Sequence, residues 1–117
     1  MRLTSHMRGL YAEIYAILYL FLKGYRICQW RYKTKLGEID VIAEHRGQLV
    51  CIEVKNRVSM TGALEAVTPM MRNRISRCAR QYISTNKGFV GSTVRFDLIA
   101  ISGFRLVHLD NAWPDPT

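Results

Sequence analysis

The strongest constraint in this sequence is a pair of apolar runs on either side of a short turn. Residues 38–44 and 48–55 are rich in isoleucine and valine, and His45-Arg46-Gly47 lies between them. This pattern predicts two strands joined as a β-hairpin, with a glycine able to take the positive φ of a tight turn. If Arg46 and Gly47 are the two turn residues, Asp40 lies directly opposite Glu53.

Two facing carboxylates in apolar strands need a compensating partner. The Cβ atoms of facing residues lie roughly 4.5–5.5 Å apart. At an effective dielectric near 20, the repulsion between two unit charges at that distance is on the order of 3 kcal/mol. Ile39, Val41, Ile52 and Val54 surround the two acids, and burying unpaired charges among such neighbours is costly.

Lys55 lies two residues beyond Glu53 and therefore shares its face of the strand. One lysine cannot neutralise two carboxylates, whereas a Mg²⁺ or Mn²⁺ ion can. With such an ion, Lys55 would orient or deprotonate an attacking water, or stabilise charge on a phosphate. The alternative is an internal salt-bridge cluster that holds no metal.

A third carboxylate, Glu13, lies in the first predicted helix. That helix begins with Ser5 as N-cap and ends at Lys23-Gly24. Apolar residues surround it almost completely, so we expect it to be largely buried. Among small and apolar neighbours Glu13 needs a partner, which is either the metal site or an arginine such as Arg95 or Arg31.

The remaining elements complete one small domain. Strands are expected over 25–33, 94–101 and 104–109, and Thr68-Pro69 opens a second long helix that ends near Ser84. We expect a loop over 85–92 and loose termini at 1–4 and 111–117. At 117 residues, this order predicts a single α/β or α+β domain around a mixed sheet.

The composition is strongly basic. A net charge of +8 and a pI near 9.8 favour nucleic acid as a partner over an anionic membrane, although a basic protein without such a partner remains the alternative. The stretch from Glu65 to Asp97 contains no acidic residue between its ends, so its arginines form either a phosphate-binding face or a solvated one. Trp30 and Tyr32 are either stacking platforms for bases or ordinary residues of the core or the strand surface. The residues expected to contact nucleic acid are Arg31, Lys33, Lys35, Arg57, Arg72 and Arg74.

The cysteines and the longest apolar run limit the location. Three cysteines are an odd count without zinc-site spacing, and this favours a reduced, cytoplasmic protein. The apolar run from Ile14 to Leu22 is too short to span a bilayer. We therefore expect no membrane partner.

Several motifs resemble a known family. Gly37-Glu38-Ile39-Asp40, followed by the run from Val50 to Arg57, resembles the "GEID … (V)xVEVKxR" signature of the bacterial YraN family. Gly9 with Glu13, Gly24-Tyr25 and Arg95-Phe96-Asp97 are similar to that family's opening helix, "GY" and "RFD" segments. The family is placed in the PD-(D/E)xK nuclease superfamily and is similar to archaeal Holliday-junction resolvases.

This resemblance implies a restriction-endonuclease-like α/β fold, with a mixed central sheet flanked by helices. It makes Asp40 and Glu53 metal ligands, Glu13 a third carboxylate near the metal, and Lys55 the catalytic lysine. The implied activity is Mg²⁺- or Mn²⁺-dependent hydrolysis of DNA, with branched DNA as one candidate substrate. DNA is favoured over RNA, and a homodimer is left open.

Two positions depart from the family pattern. Arg31 stands where the family tends to have asparagine, and Met71 stands where it tends to have lysine. Both departures concern substrate binding more than metal binding. They leave open a catalytically inactive nucleic-acid-binding module in a DNA-processing complex, or a fold relative with a structural role.

Overall fold

A computed structural model describes residues 4–89 and 91–116, and within them five strands form one mixed sheet. The strands lie in the order β1-β2-β3-β4-β5, and only β3 and β4 are parallel to each other. The strands are β1 (Arg26–Thr34), β2 (Gly37–His45), β3 (Gln48–Asn56), β4 (Val94–Ser102) and β5 (Arg105–Trp113). The helices are α1 (Ser5–Leu22), α2 (Met60–Leu64), α3 (Pro69–Thr85) and a 3₁₀ turn (Lys87–Phe89).

The parallel pair explains the position of the second and third helices. Parallel neighbours need a crossover connection, and α2 and α3 provide it between β3 and β4. Helix α1 packs on one face of the sheet, and α2 and α3 pack on the other. The predicted α/β architecture, a mixed central sheet flanked by helices, is confirmed, and it is consistent with a restriction-endonuclease-like fold.

Helix α1 begins one residue earlier than expected. The hydroxyl of Thr4 accepts a hydrogen bond from the Met7 amide at 3.1 Å, so Thr4 rather than Ser5 is the N-cap. At the other end Gly24 has a φ of 88°, which a glycine adopts without steric cost. The Lys23-Gly24 stop signal is therefore confirmed.

The expectation that α1 is largely buried is wrong. Ala12, Ala16 and Leu20 pack closely on the sheet beside Val41 and Ile52, but the opposite side of the helix faces outward. Leu18, for example, is 58% exposed. The apolar pattern of the sequence is continuous around the helix, and one layer of sheet can cover only one of its sides.

The second core lies between the sheet and α3. Ile75, Cys78 and Tyr82 of that helix pack on this side, and Cys51 is fully buried there, as predicted. Tyr32 meets Tyr82 edge-on, with ring centroids 5.2 Å apart. Among the alternatives for Tyr32, the structure therefore supports a partly buried residue packed against the core.

Two segments depart from the predicted pattern. No element was predicted between β3 and Thr68, where the structure has helix α2. The Ser59 hydroxyl caps this helix by accepting a hydrogen bond from the Gly62 amide at 3.0 Å. The expected loose tail contributes residues 111–113 to β5, because Trp113 is buried against Phe96 at a centroid distance of 5.8 Å. No helix within the described ranges is long and apolar enough to cross a membrane.

A buried polar network joins β4 and β5. Asp97 is fully buried and accepts hydrogen bonds from the Arg95 guanidinium at 2.8 Å and from the Asn111 amide at 2.9 Å. His108 Nε2 lies 2.7 Å from the same carboxylate, and Arg95 also donates to the Tyr25 hydroxyl at 2.7 Å. Burial alone would raise the pKa of Asp97, but the hydrogen bonds with His108 and Arg95 lower it below its ordinary value.

We expect Asp97→Ala to destabilise the fold by about 3 kcal/mol or more, because it leaves the Arg95 charge without its buried partner. The stabilisation from Asp97 is present above its unfolded pKa, near 3.9, and is lost as the pH falls through its lower folded pKa. Urea unfolding at pH 7 and near pH 3 measures both effects. Asp110→Asn, on the exposed part of β5, is the control and should change little. Equal effects of the two substitutions at pH 7 would contradict this role for Asp97.

Candidate metal centre

The β2–β3 hairpin has the register that its turn predicts. His45 faces Gln48 across Arg46 and Gly47, whose φ values are 52° and 80°. The last paired positions of this antiparallel ladder are Val41 and Ile52. One step further along the same register, Asp40 lies opposite Glu53.

At that position, hydrogen bonds from backbone amides to the two carboxylates replace the backbone–backbone hydrogen bonds of the ladder. The Val54 amide donates a hydrogen bond to Asp40 Oδ2 at 2.8 Å, and the Asp40 amide donates to Glu53 Oε1 at 3.3 Å. Each acid therefore satisfies a backbone N–H at the point where β2 and β3 diverge. These bonds fix both side chains without the help of a neighbouring cation.

Burial is the main cause that disfavours the ionised form of both acids, and repulsion from neighbouring carboxylates adds to it. Burial, followed by the charge of Asp40, raises the pKa of Glu53 well above its ordinary value, and Lys55 only partly opposes this. Burial also raises the pKa of Asp40, against the hydrogen bond from Val54, and the charge of Glu13 raises it further. Both shifts mean that the ionised acids are destabilised in this environment and would be relieved by an added cation.

Glu13 lies near this pair but has partners of its own. Its Oε1 accepts hydrogen bonds from the Trp30 indole at 2.7 Å and from Arg31 Nε at 2.8 Å. The arginine partner considered for Glu13 is therefore Arg31, while Arg95 is bound to Asp97. Trp30 is 40% exposed, and its ring nitrogen is occupied by this bond.

Arg31 adopts an unusual backbone conformation to reach Glu13. Its φ is 57°, in the left-handed region, where asparagine and glycine are favoured over other residues. Its hydrogen bond with Glu13 raises the pKa of the guanidinium, and the negative charges of Glu38 and Asp40 act in the same direction.

The residues fit a hard divalent cation in part. Among the described residues no group of three or more Asp, Glu, His and Cys side chains is close enough to hold a metal ion. Asp40 and Glu53 come together, whereas Glu13 is engaged by Arg31. Two carboxylates are nevertheless a sufficient protein contribution for Mg²⁺, which usually keeps several waters.

A cleft of about 670 Å³ lies between the first half of α1 and the end of β3. Its wall includes Val54 and Lys55, which follow Glu53 in β3, but Asp40 and Glu53 themselves are not among its lining residues. Glu13 and Lys55 line it, and Arg8 and Arg57 add two further positive charges. Arg8 was not among the predicted contacts. Its spacing of four residues from buried Ala12 could have indicated that it lies toward the sheet.

The other predicted phosphate contacts are distributed over the surface. Lys33 and Lys35 are exposed around the β1–β2 turn, and Arg74 lies beside Gly37 at the start of β2. Arg72 instead packs over the Trp113 ring at 5.6 Å, and its buried Nε has no hydrogen-bond partner within the described ranges. These four side chains do not line the cleft.

Comparison with known proteins gives one consistent result. Residues 12–101 match the model of a family described as "Uncharacterised protein family UPF0102". A UPF0102 protein of a Caulobacter species is 46% identical over 96% of this chain and 81% of its own length. UPF0102 proteins of Rhizobium meliloti and Bartonella bacilliformis are 42% and 41% identical, over 96% and 92% of this chain and 93% and 88% of their own lengths.

We expect Glu53→Gln to raise the thermal midpoint in EDTA, because it removes a buried, repelled charge while keeping an acceptor for the Asp40 amide. A gain of about 1 kcal/mol corresponds to several degrees for a domain of this size. Glu44→Gln is the matched control, since Glu44 forms a surface ion pair with Arg26 at 3.0 Å. Losing that pair should lower stability by less than about 1 kcal/mol. A clear fall in the midpoint of Glu53→Gln would show that the site is a satisfied salt-bridge cluster.

Proposed function

This chain belongs to the uncharacterised protein family UPF0102, and we propose that it is a metal-dependent nuclease that hydrolyses phosphodiester bonds in DNA. The observation that carries the proposal is the Asp40–Glu53 pair, in which Glu53 is buried and Asp40 half-buried, with Lys55 on the wall of a basic cleft two positions beyond Glu53. Holding two carboxylates that repel one another lowers the folding stability of a small domain. Binding of a cation by the two acids would explain why this unfavourable arrangement is present.

In this proposal Asp40 and Glu53 hold a Mg²⁺ or Mn²⁺ ion, which supplies Lewis-acid activation of the phosphate and a water of lowered pKa. The two acids are already oriented by the Val54 and Asp40 amides, so little reorganisation is needed on binding. The charge that Lys55 brings to both carboxylates also limits their repulsion.

Lys55 is the proposed catalytic lysine. It follows Glu53 by two positions in β3, lines the cleft, and is half-buried. A positive charge at the wall of the cleft can orient a water by hydrogen bonding and stabilise the negative charge that develops on a phosphate. Because this charge acts mainly on the transition state, its loss should slow cleavage more than it weakens DNA binding.

Glu13 takes an indirect part in this proposal. Its Oε1 lies 2.8 Å from Arg31 Nε, and this ion pair keeps the Arg31 guanidinium close enough to Asp40 for their charges to interact. The direct metal contact that the family resemblance implied for Glu13 would require this ion pair to open. Glu13 is therefore a positioning residue for Arg31 in the present arrangement.

The engagement of Glu13 also supports the second candidate function. With Arg31 neutralising the third carboxylate, two acids remain for a metal, and a nucleic-acid-binding module without catalysis would keep the basic cleft. The two functions differ in metal-dependent cleavage and share salt-dependent DNA binding.

For the nuclease, Asp40→Asn should abolish cleavage, because a neutral amide is a much poorer ligand for Mg²⁺ than a carboxylate. Lys55→Ala should slow cleavage by roughly 10²-fold or more and leave DNA affinity within a few-fold. The assay measures cleavage of single-stranded, duplex and branched DNA in the presence of Mg²⁺, Mn²⁺ or EDTA. The DNA that is cut fastest identifies the preferred substrate structure. Absence of metal-dependent cleavage on every substrate would contradict the nuclease, and salt-dependent DNA binding would then distinguish the binding module from a structural role.

DNA binding should be electrostatic and largely independent of sequence. Removing Arg8 and Arg57 together should reduce the slope of log affinity against log salt by about 1.8 on duplex DNA, since each phosphate contact contributes roughly 0.9. Arg77→Ala is the control, because Arg77 is an exposed arginine on α3, outside the cleft. Fluorescence anisotropy between low and physiological salt measures the slopes. Equal slopes for the wild type and the double variant would mean that the arginines of the cleft do not contact the DNA phosphates.

A further inference from the structure

The outward side of α1 carries a regular apolar stripe. Its members are separated by alternating steps of four and three residues, and each is at least 39% exposed. They are Met7, Tyr11, Ile14, Leu18 and Phe21. The opposite side of the helix, with Ala12, Ala16 and Leu20, is the one that packs on the sheet.

This spacing is the pattern by which one helix packs along another. Steps of four and three average 3.5 residues, which keeps the apolar seam facing a partner helix over its whole length. The two charged side chains of α1, Arg8 and Glu13, lie off the seam, in the cleft and on Arg31. A helix that lies on an anionic membrane instead carries lysines and arginines along the polar side that borders its apolar face.

The exposed apolar area is large enough for a stable interface. Leu22 and Phe104, 83% and 89% exposed, extend the stripe at its end and its side. Tyr11, Ile14, Leu18 and Phe104 form a groove of about 300 Å³ along it. If a large side chain offers roughly 200 Å² when fully exposed, the seven residues present on the order of 800 Å². That is the amount each partner contributes to an interface of standard size.

We propose that this stripe is a homodimer interface, in which α1 of one copy packs antiparallel against α1 of a second copy, centred on Ile14. The stripe is self-complementary in this arrangement, because Met7 meets Phe21 and Tyr11 meets Leu18 of the other copy. Antiparallel packing also aligns the two helix macrodipoles in opposite directions, which is the favourable arrangement for neighbouring helices. A seam without charged side chains lets two chains of charge +8 associate without burying a cation.

The proposed dimer is independent of the proposed activity, but it has a consequence for the cleft. Tyr11 lines both the groove and the cleft, so the seam and the basic surface are continuous. Two copies joined through α1 would therefore hold two basic clefts next to one interface.

Sedimentation equilibrium of the full chain tests the interface. Wild type should be a dimer in the micromolar range, whereas Ile14→Glu and Leu18→Glu should be monomers with an unchanged circular dichroism spectrum. Met70→Glu is the matched control, since Met70 is 63% exposed on α3, away from the stripe, and this variant should remain a dimer. A monomeric wild type at 100 micromolar, or a dimer that survives both glutamates, would overturn the proposal. So would a monomeric wild type that binds vesicles of phosphatidylcholine and phosphatidylglycerol through Leu18, since lipid would then be the occupant.

Disulfide trapping tests the arrangement without a disruptive charge. Ile14→Cys should cross-link to itself under mild oxidation, because residues at the centre of the seam approach within the reach of a disulfide. Leu22→Cys should not, since antiparallel packing separates the two copies of that position. Met70→Cys and the wild type, with its three native cysteines, measure the background. Efficient cross-linking of Leu22→Cys would contradict the antiparallel arrangement, and background levels for Ile14→Cys would contradict the α1 interface.

Discussion

The candidate site depends on two carboxylates that share the point where β2 and β3 diverge. Asp40 and Glu53 each accept a hydrogen bond from the opposing strand, and both remain destabilised in their ionised form by burial. The hairpin register brings them together, and Lys55 supplies a charge that only partly offsets their repulsion. The fold thus tolerates an unfavourable electrostatic arrangement at one place, as proteins do where a site must bind or react.

Helix α1 connects this site to the rest of the surface. Its residue Glu13, paired with Arg31 of β1, lies near the acidic pair, and its first turns form one wall of the cleft. Its outward side carries the apolar stripe. One helix therefore takes part in both the proposed chemistry and the proposed assembly. This explains why it is apolar almost all round and yet carries two charged residues, Arg8 and Glu13, near the site.

Much of the site could be predicted from the sequence, because its geometry is local. The turn at Arg46-Gly47 fixes which residues of the hairpin face one another, and period-two alternation places Lys55 with Glu53. The partner of Glu13 could not be chosen, since Arg31 and Arg95 are both distant in sequence and only the packed sheet separates their roles. The exposure of Leu18 could likewise not be predicted, because the sequence shows which residues of the helix are apolar but not which side of the helix the sheet covers.

The central claim is that Asp40 and Glu53 form a binding site for a divalent cation. Isothermal titration of Mn²⁺ into the metal-free protein, without nucleic acid, tests it most directly, since catalysis and substrate do not enter the measurement. The account predicts saturable binding by the wild type and by Lys55→Ala, and none by Asp40→Asn. Titrations without saturable heat for the wild type, or with the same affinity for wild type and Asp40→Asn, would contradict it.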